Sequence, residues 1–196
     1  GLADVAARDL RLTVRPSKPV KVEQAFRCTP FVEELPVAAG EADLGLLSMG
    51  EAINVLIELS VAPAPEGTYR LVQLELSGMP PEGEGRERLV QEVEVAFAEE
   101  PPEEPIPSQI LGMAYKVTLF QMQRSAWLAL KQGDKETASK RLEAVATRLI
   151  ELGETELAQV ALLEAQRIGQ EGRPSERGKK TLHFGTRRLG TDEVSL

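Results

Sequence analysis

The chain has 196 residues, enough for one large domain or two small ones and for a sizeable buried core. Lys and Arg total 23 against 31 Asp and Glu, a formal charge of −8 that excludes a broadly basic nucleic-acid binder. One cysteine, Cys28, allows no intrachain disulfide and no cysteine-based zinc site, and one histidine, His183, would have to carry any Ser-His-Asp or Cys-His unit. No apolar run approaches the ~18 residues of a membrane span. Gly1-Leu2-Ala3-Asp4-Val5 lacks the basic start and apolar stretch of a signal peptide. The expectation is a cytoplasmic piece of a longer protein.

Residues 1–100 alternate apolar and polar positions with period two, the mark of half-buried strands. Leu10, Leu12 and Val14 share one face, followed by Val20 and Val22 leading to Phe26. Ile53, Val55, Ile57, Leu59 and Val61 form the next such row. Tyr69, Leu71, Leu74 and Leu76 come after it with a change of phase near Val72, and Leu89, Val93, Val95 and Phe97 close the series. Turn formers separate the rows, among them Arg15-Pro16-Ser17-Lys18-Pro19 and Pro63-Ala64-Pro65-Glu66-Gly67. Six or seven short strands with no helical pattern between them predict an antiparallel, Ig-like β-sandwich.

Residues 101–107 lie in an acidic, Pro-rich stretch that continues neither helix nor strand, and they read as a linker. The charge changes with the period. Residues 1–105 carry nine basic and 20 acidic side chains, a net −11, and residues 106–196 carry a net +3. Ser108 suits an N-cap, and helices are expected at about 108–132, 134–152 and 154–170. In the second, Ala138, Leu142, Val145, Leu149 and Leu152 make an amphipathic row, and in the third Leu157, Ala161, Ala165 and Ile168 do the same. Gly133-Asp134 and Gly153-Glu154 repeat at the junctions, each followed by a small residue, Ala138 and Ala158, that permits close approach. The prediction for 108–171 is a three-helix up-and-down bundle, and the whole is an α+β, two-part architecture.

Residues 172–196 form a basic tail. Between Arg173 and Arg188, six cations face Glu176 alone. Leu182 and Phe184 alternate with polar neighbours, so the tail reads as flexible or as a strand docked on a sheet edge. Its candidate interaction residues are Lys179, Lys180, His183, Phe184, Thr186, Arg187 and Arg188, with Thr186 also a candidate phosphoacceptor for a phosphothreonine-reading partner. Elsewhere the search for chemistry is negative: there is no Gly-rich phosphate loop, no paired-His helix, no Gly-x-Ser-x-Gly elbow and no calcium loop. Adjacent acids such as Glu33-Glu34 read as solvated surface, and Trp127 as core. A hydrolase or small-molecule site would have to be built on His183 and nearby carboxylates.

Several segments carry a family resemblance: Ala3-Asp4-Val5-Ala6-Ala7-Arg8-Asp9-Leu10-Arg11-Leu12, Asp43-Leu44-Gly45, Gly67-Thr68-Tyr69-Arg70, Ala144-x-x-x-Arg148-Leu149-x-x-Leu152-Gly153, and Lys179-Lys180-x-Leu182-x-Phe184-Gly185-Thr186-Arg187-Arg188-Leu189. Together they resemble the region after the von Willebrand factor A domain in a family of bacterial proteins. The resemblance implies a β-sandwich fused to a helical region, accompanying an A domain that binds a divalent metal and protein partners. The A domain's Asp-x-Ser-x-Ser motif does not occur here. Asp4, Asp9, Asp43, Asp134 and Asp192 are followed two residues on by Ala, Arg, Gly, Glu and Val, so no metal ligand carries over and no cofactor is expected. In such proteins the sandwich also receives strands from before the A domain, which predicts an exposed sheet edge open to self-association. The functional expectation is a non-enzymatic scaffold that engages protein partners, including the parent A domain, with no specific nucleic acid and no membrane span.

Overall fold

The computed structural model describes residues 5–37, 40–83, 85–100 and 104–189. Among them are seven strands followed by four helices: β1 (Val5–Pro16), β2 (Val20–Arg27), β3 (Glu33–Leu35), β4 (Glu41–Ser48), β5 (Val55–Val61), β6 (Gly67–Met79), β7 (Glu87–Phe97), α1 (Ser108–Lys131), α2 (Lys135–Glu151), α3 (Thr155–Glu171) and α4 (Glu176–Arg188). They fall into two compact units that divide between Pro107 and Ser108.

The first unit holds two antiparallel sheets, one ordered β4-β1-β6-β7 and the other β3-β2-β5. Alternation on β1 turns Leu10, Leu12 and Val14 inward, where they join Val20 and Ala25 of β2, Leu35 of β3, Ala42 and Leu44 of β4, and Leu71 and Val72 of β6. The row Ile53, Val55, Ile57, Leu59 and Val61 packs against this core, as its spacing predicts. The phase change expected near Val72 is a bulge between Arg70 and Val72 in the β6–β7 pairing, which lets Leu71 and Val72 both be buried. A second bulge lies between Val22 and Gln24. Past it Ala25 joins the central core, and Phe26 is also buried although it lies outside that core.

The four-stranded sheet is one strand wider than its partner, and β7 stands at its edge. Leu76 pairs with Leu89, Val72 with Val93 and Tyr69 with Val95, so the odd residues of β7 share a face. Only Val93 of that row packs on the core. Leu89 and Val95 are exposed, and so is Val90 on the opposite face, while Phe97 lies edge-on to Tyr69.

The second unit is built on the predicted rows. Ala138, Leu142, Val145 and Leu149 of α2 and Leu157, Ala161, Ala165 and Ile168 of α3 are buried in one core with Leu119, Ala126 and Ala129 of α1. Leu152 departs from the prediction: it is the C-cap of α2 and exposed. Gly133 and Gly153 adopt φ of +84° and +79°, the left-handed turn that ends a helix, and Ala138 and Ala158 are buried at the tight approaches. Helix α1 begins at Ser108 itself, and Ile110, Leu111 and Tyr115 in its N-terminal half are exposed.

Asp134 caps α2, accepting from the Thr137 backbone N–H at 3.0 Å, and Thr137 is what holds its carboxyl below the ordinary value of 3.8. A depressed carboxyl stabilises the fold above pH 3.8 and loses that contribution as pH falls through its lower folded value. Asp134→Asn keeps a cap acceptor without the titration. Thermal melts from pH 5 down to about 3 are expected to show a shallower acid loss for this variant than for the parent chain.

The helical unit has four helices rather than three, and the tail is neither flexible nor a strand over residues 176–188. Gly178, Leu182, Thr186 and Leu189, at i, i+4, i+8 and i+11, form a buried helical stripe. The Leu182/Phe184 alternation suggests a strand, but Leu182 is buried in the core while Phe184 is 58% exposed.

Candidate functional site

The tail residues singled out in the sequence come together on α4, in two opposed groups. Arg173-Pro174-Ser175-Glu176 starts the helix: proline precedes the cap, the Ser175 side chain accepts from the Gly178 backbone N–H at 2.9 Å, and Glu176 lies in the first turn, where the helix dipole favours an acid. Glu164 of α3 completes this start. It is buried, and it accepts from the Ser175 backbone N–H and the Ser175 hydroxyl, both at 2.6 Å. In a capping box the reciprocal carboxylate comes from the third residue of the same helix. Here that position is Gly178, and the carboxylate reaches in from a neighbouring helix.

Gly178 leaves the room for it, since a Cβ there would overlap the Glu164 carboxylate. Gly185 does the same for Leu157 about two turns further along α4, where a Cβ would lie 2.6 Å from Leu157 Cδ1. These glycines weaken the helical signal in the sequence and are what lets α4 pack so closely.

Thr186 belongs to the buried group. It is fully buried, and its hydroxyl lies 2.8 Å from the Leu182 carbonyl oxygen and 2.9 Å from Gln123 Oε1 of α1, offering its single proton to these two acceptors. An accessible phosphoacceptor at Thr186 is therefore corrected: a kinase could reach the hydroxyl only after α4 had left the bundle.

The outward group comprises Arg177, Lys179, Lys180, His183, Phe184 and Arg188, all exposed, together with Arg187, which is half-buried. At 100° per residue, Phe184 sits near the middle of this arc, with Lys180 and Arg188 one turn to either side. The His183 ring meets Phe184 edge-on at 5.3 Å, and Arg187 Nη1 lies 3.4 Å from His183 Nε2. Partial desolvation of the ring, then the charges of Arg187 and Lys179, hold the imidazole below its ordinary 6.5. Among the described residues, the charges that shift His183 are those of Arg187 and Lys179. The adjacent acids Glu33 and Glu34 lie on β3, where Glu33 pairs with Arg27. Cys28 is buried, and Trp127 packs against the helical core. Among the described residues no group of three or more His, Cys, Asp or Glu side chains is placed to hold a metal ion. No described helix is long and apolar enough to cross a membrane.

The residues that sequence reasoning missed are Gln123, Glu164, Ser175 and Gly178. The run Pro174-Ser175-Glu176 is the available signal, because it reads as a helix start. Glu164 and Gln123 carry none, since their roles depend on which helices meet.

Comparison with known proteins bears on both units. No curated protein matches the chain. Among solved structures, a von Willebrand factor type A protein from Catenulispora acidiphila aligns with a TM-score of 0.67 at 14% identity, covering 94% of this chain and 46% of that one. The ArnB paralog VWA2 from Sulfolobus acidocaldarius aligns at 0.46 and 12% identity, covering 93% of this chain and 42% of that one. The chain thus spans less than half the length of either. At such identities the likeness to the Catenulispora protein is one of fold. Residues 108–192, less than half of the chain, match the family model described as the Sll0103-like, C-terminal alpha-helical domain, and the fold of the chain is similar to that of part of the Catenulispora von Willebrand factor type A protein.

Proposed function

We propose that this chain is a non-enzymatic protein-interaction module that accompanies a von Willebrand factor A-type domain in a longer protein and docks a partner through α4. The fold neighbour is a protein of that type and more than twice as long, which supports placing the chain beside further domains. One observation carries the reading: α4 is locked into its bundle by Leu182, Thr186 and Glu164, yet presents an outward face of several cations around an exposed phenylalanine. A charged face is common on a surface helix, but an exposed phenylalanine in the middle of one is not required for solvation, and recognition surfaces combine an aromatic anchor with a charged rim.

Removing residues 173–196 would also remove the core side chains Leu182 and Leu189, so substitutions on the outward face make the cleaner test. The immobilised chain and its Arg177→Glu/Lys180→Glu variant are compared by affinity capture and mass spectrometry. A partner held by the parent and lost from the variant, at unchanged helical content, is the expected result. Identical sets of captured proteins would overturn the reading.

A further inference from the structure

We propose that the outward face of α4 binds an extended, acidic segment of a protein partner, with an apolar side chain of that segment seated on Phe184 between Lys180 and Arg188. The inference rests on the interaction-module reading and names the chemistry of the partner.

The charge on this face is exceptional for the chain. Residues 1–105 carry a net −11, whereas α4 alone has five cations, Arg177, Lys179, Lys180, Arg187 and Arg188, against Glu176. The core-facing stripe of Gly178, Leu182, Thr186 and Leu189 leaves these side chains on the far side of the helix, with Arg177, Lys179, Lys180 and Arg188 exposed and Arg187 half-buried. Desolvation of the ring, and after it the charges of Arg187 and Lys179, lower the pKa of His183 on the same face. Such a cluster of cations recruits carboxylates and raises their rate of encounter.

Spacing narrows the ligand. Lys180 and Arg188 are eight residues apart, about 12 Å along the helix axis, and Phe184 lies midway. An extended chain advances about 3.3 Å per residue, so two acidic residues four positions apart meet the two cations and the residue between them meets the ring. The pattern is acid-x-apolar-x-acid. Two other anionic partners fit less well. A bilayer needs an apolar helical face to bury, and the apolar stripe of α4 is already buried in the bundle, leaving Phe184 alone. A nucleic acid or a flat anionic membrane would draw the whole chain, at −8, against a dense array of like charge. A short peptide engages α4 alone.

The test uses a fluorescent peptide with the sequence Glu-Asp-Ser-Leu-Ser-Asp-Glu, a control with its acids replaced by Gln and Asn, vesicles of phosphatidylglycerol and phosphatidylcholine, and a single-stranded oligonucleotide. Each is titrated with the 196-residue chain. The acidic peptide is expected to bind, to weaken as salt is added, and to lose at least about tenfold in affinity with Arg177→Glu/Lys180→Glu and roughly fivefold with Phe184→Ala. Far-ultraviolet dichroism and melting should stay as in the parent chain, because the substituted side chains are exposed. Equal binding of the neutral control, equal binding by the variants, or tighter binding of vesicles or oligonucleotide than of the peptide would overturn the proposal. If the peptide fails to bind while the α4-dependent capture described above persists, the acidic class is wrong and the interaction module stands. If the capture also fails, both fall.

Discussion

Leu182→Ala is expected to destabilise the helical unit by about 2–5 kcal/mol, the range for a large buried side chain cut back in a well-packed core. Phe184→Ala, two residues away, should change stability by less than about 0.5 kcal/mol. The contrast follows from orientation, since Leu182 is fully buried among α-helical core residues and Phe184 is 58% exposed. Urea denaturation followed at the helical band of the dichroism spectrum measures both. A strand reading of the tail puts Leu182 and Phe184 on the same face, so both substitutions would then cost alike. Comparable losses would exclude the helix described here.

The second large effect concerns the start of α4. Glu164→Ala should cost about 2–3 kcal/mol, because it leaves the Ser175 backbone N–H and hydroxyl without the charged acceptor they share. Gly178→Ala tests the same geometry from the other side. Alanine is the better helix former by about 0.8–1.0 kcal/mol, so on propensity alone the variant would be more stable. Its methyl would overlap the Glu164 carboxylate, and relieving that overlap breaks one or both of the bonds to Ser175. The loss outweighs the gain, and a net destabilisation of about 1–3 kcal/mol is expected in urea melts. If the Gly178→Ala variant were the more stable, the carboxylate would not be held at this helix start. In the double variant Glu164→Ala/Gly178→Ala the clash is gone, so the cost of the second substitution should largely vanish.

What the sequence reveals depends on how regular each element is. The rows of α2 and α3 follow a clean helical period, and so their buried residues can be named in advance. The row from Ile53 to Val61 is equally regular at period two. β4 does not read as a strand: Ala42 and Leu44 alternate with Glu41 and Asp43, but Gly45, at φ +76°, interrupts the row and the β1–β4 register is shifted by bulges. β3 is three residues long, too short to show a period, and Glu33-Glu34 reads as solvated surface. α4 is misread because two of its inward positions, Gly178 and Gly185, are glycines and one, Thr186, is polar. The helical stripe is therefore nearly invisible to hydrophobicity, while the Leu182/Phe184 pair imitates a strand. The same error assigns Thr186 to the surface. The residues of the candidate site are legible as a basic cluster with one aromatic, since composition alone marks that. Which of them face outward is not, because this depends on the partners of α4: Gln123, Leu157 and Glu164, all distant in sequence.

Each hydrophobic cluster of the molecule draws its residues from one side of the Pro107–Ser108 division. For the history of such proteins this separation has a consequence. A substitution inside one of these clusters is accommodated by side chains of the same unit, so each core can change in sequence along its own course. The match to the alpha-helical family model begins at residue 108, at the boundary between the two units.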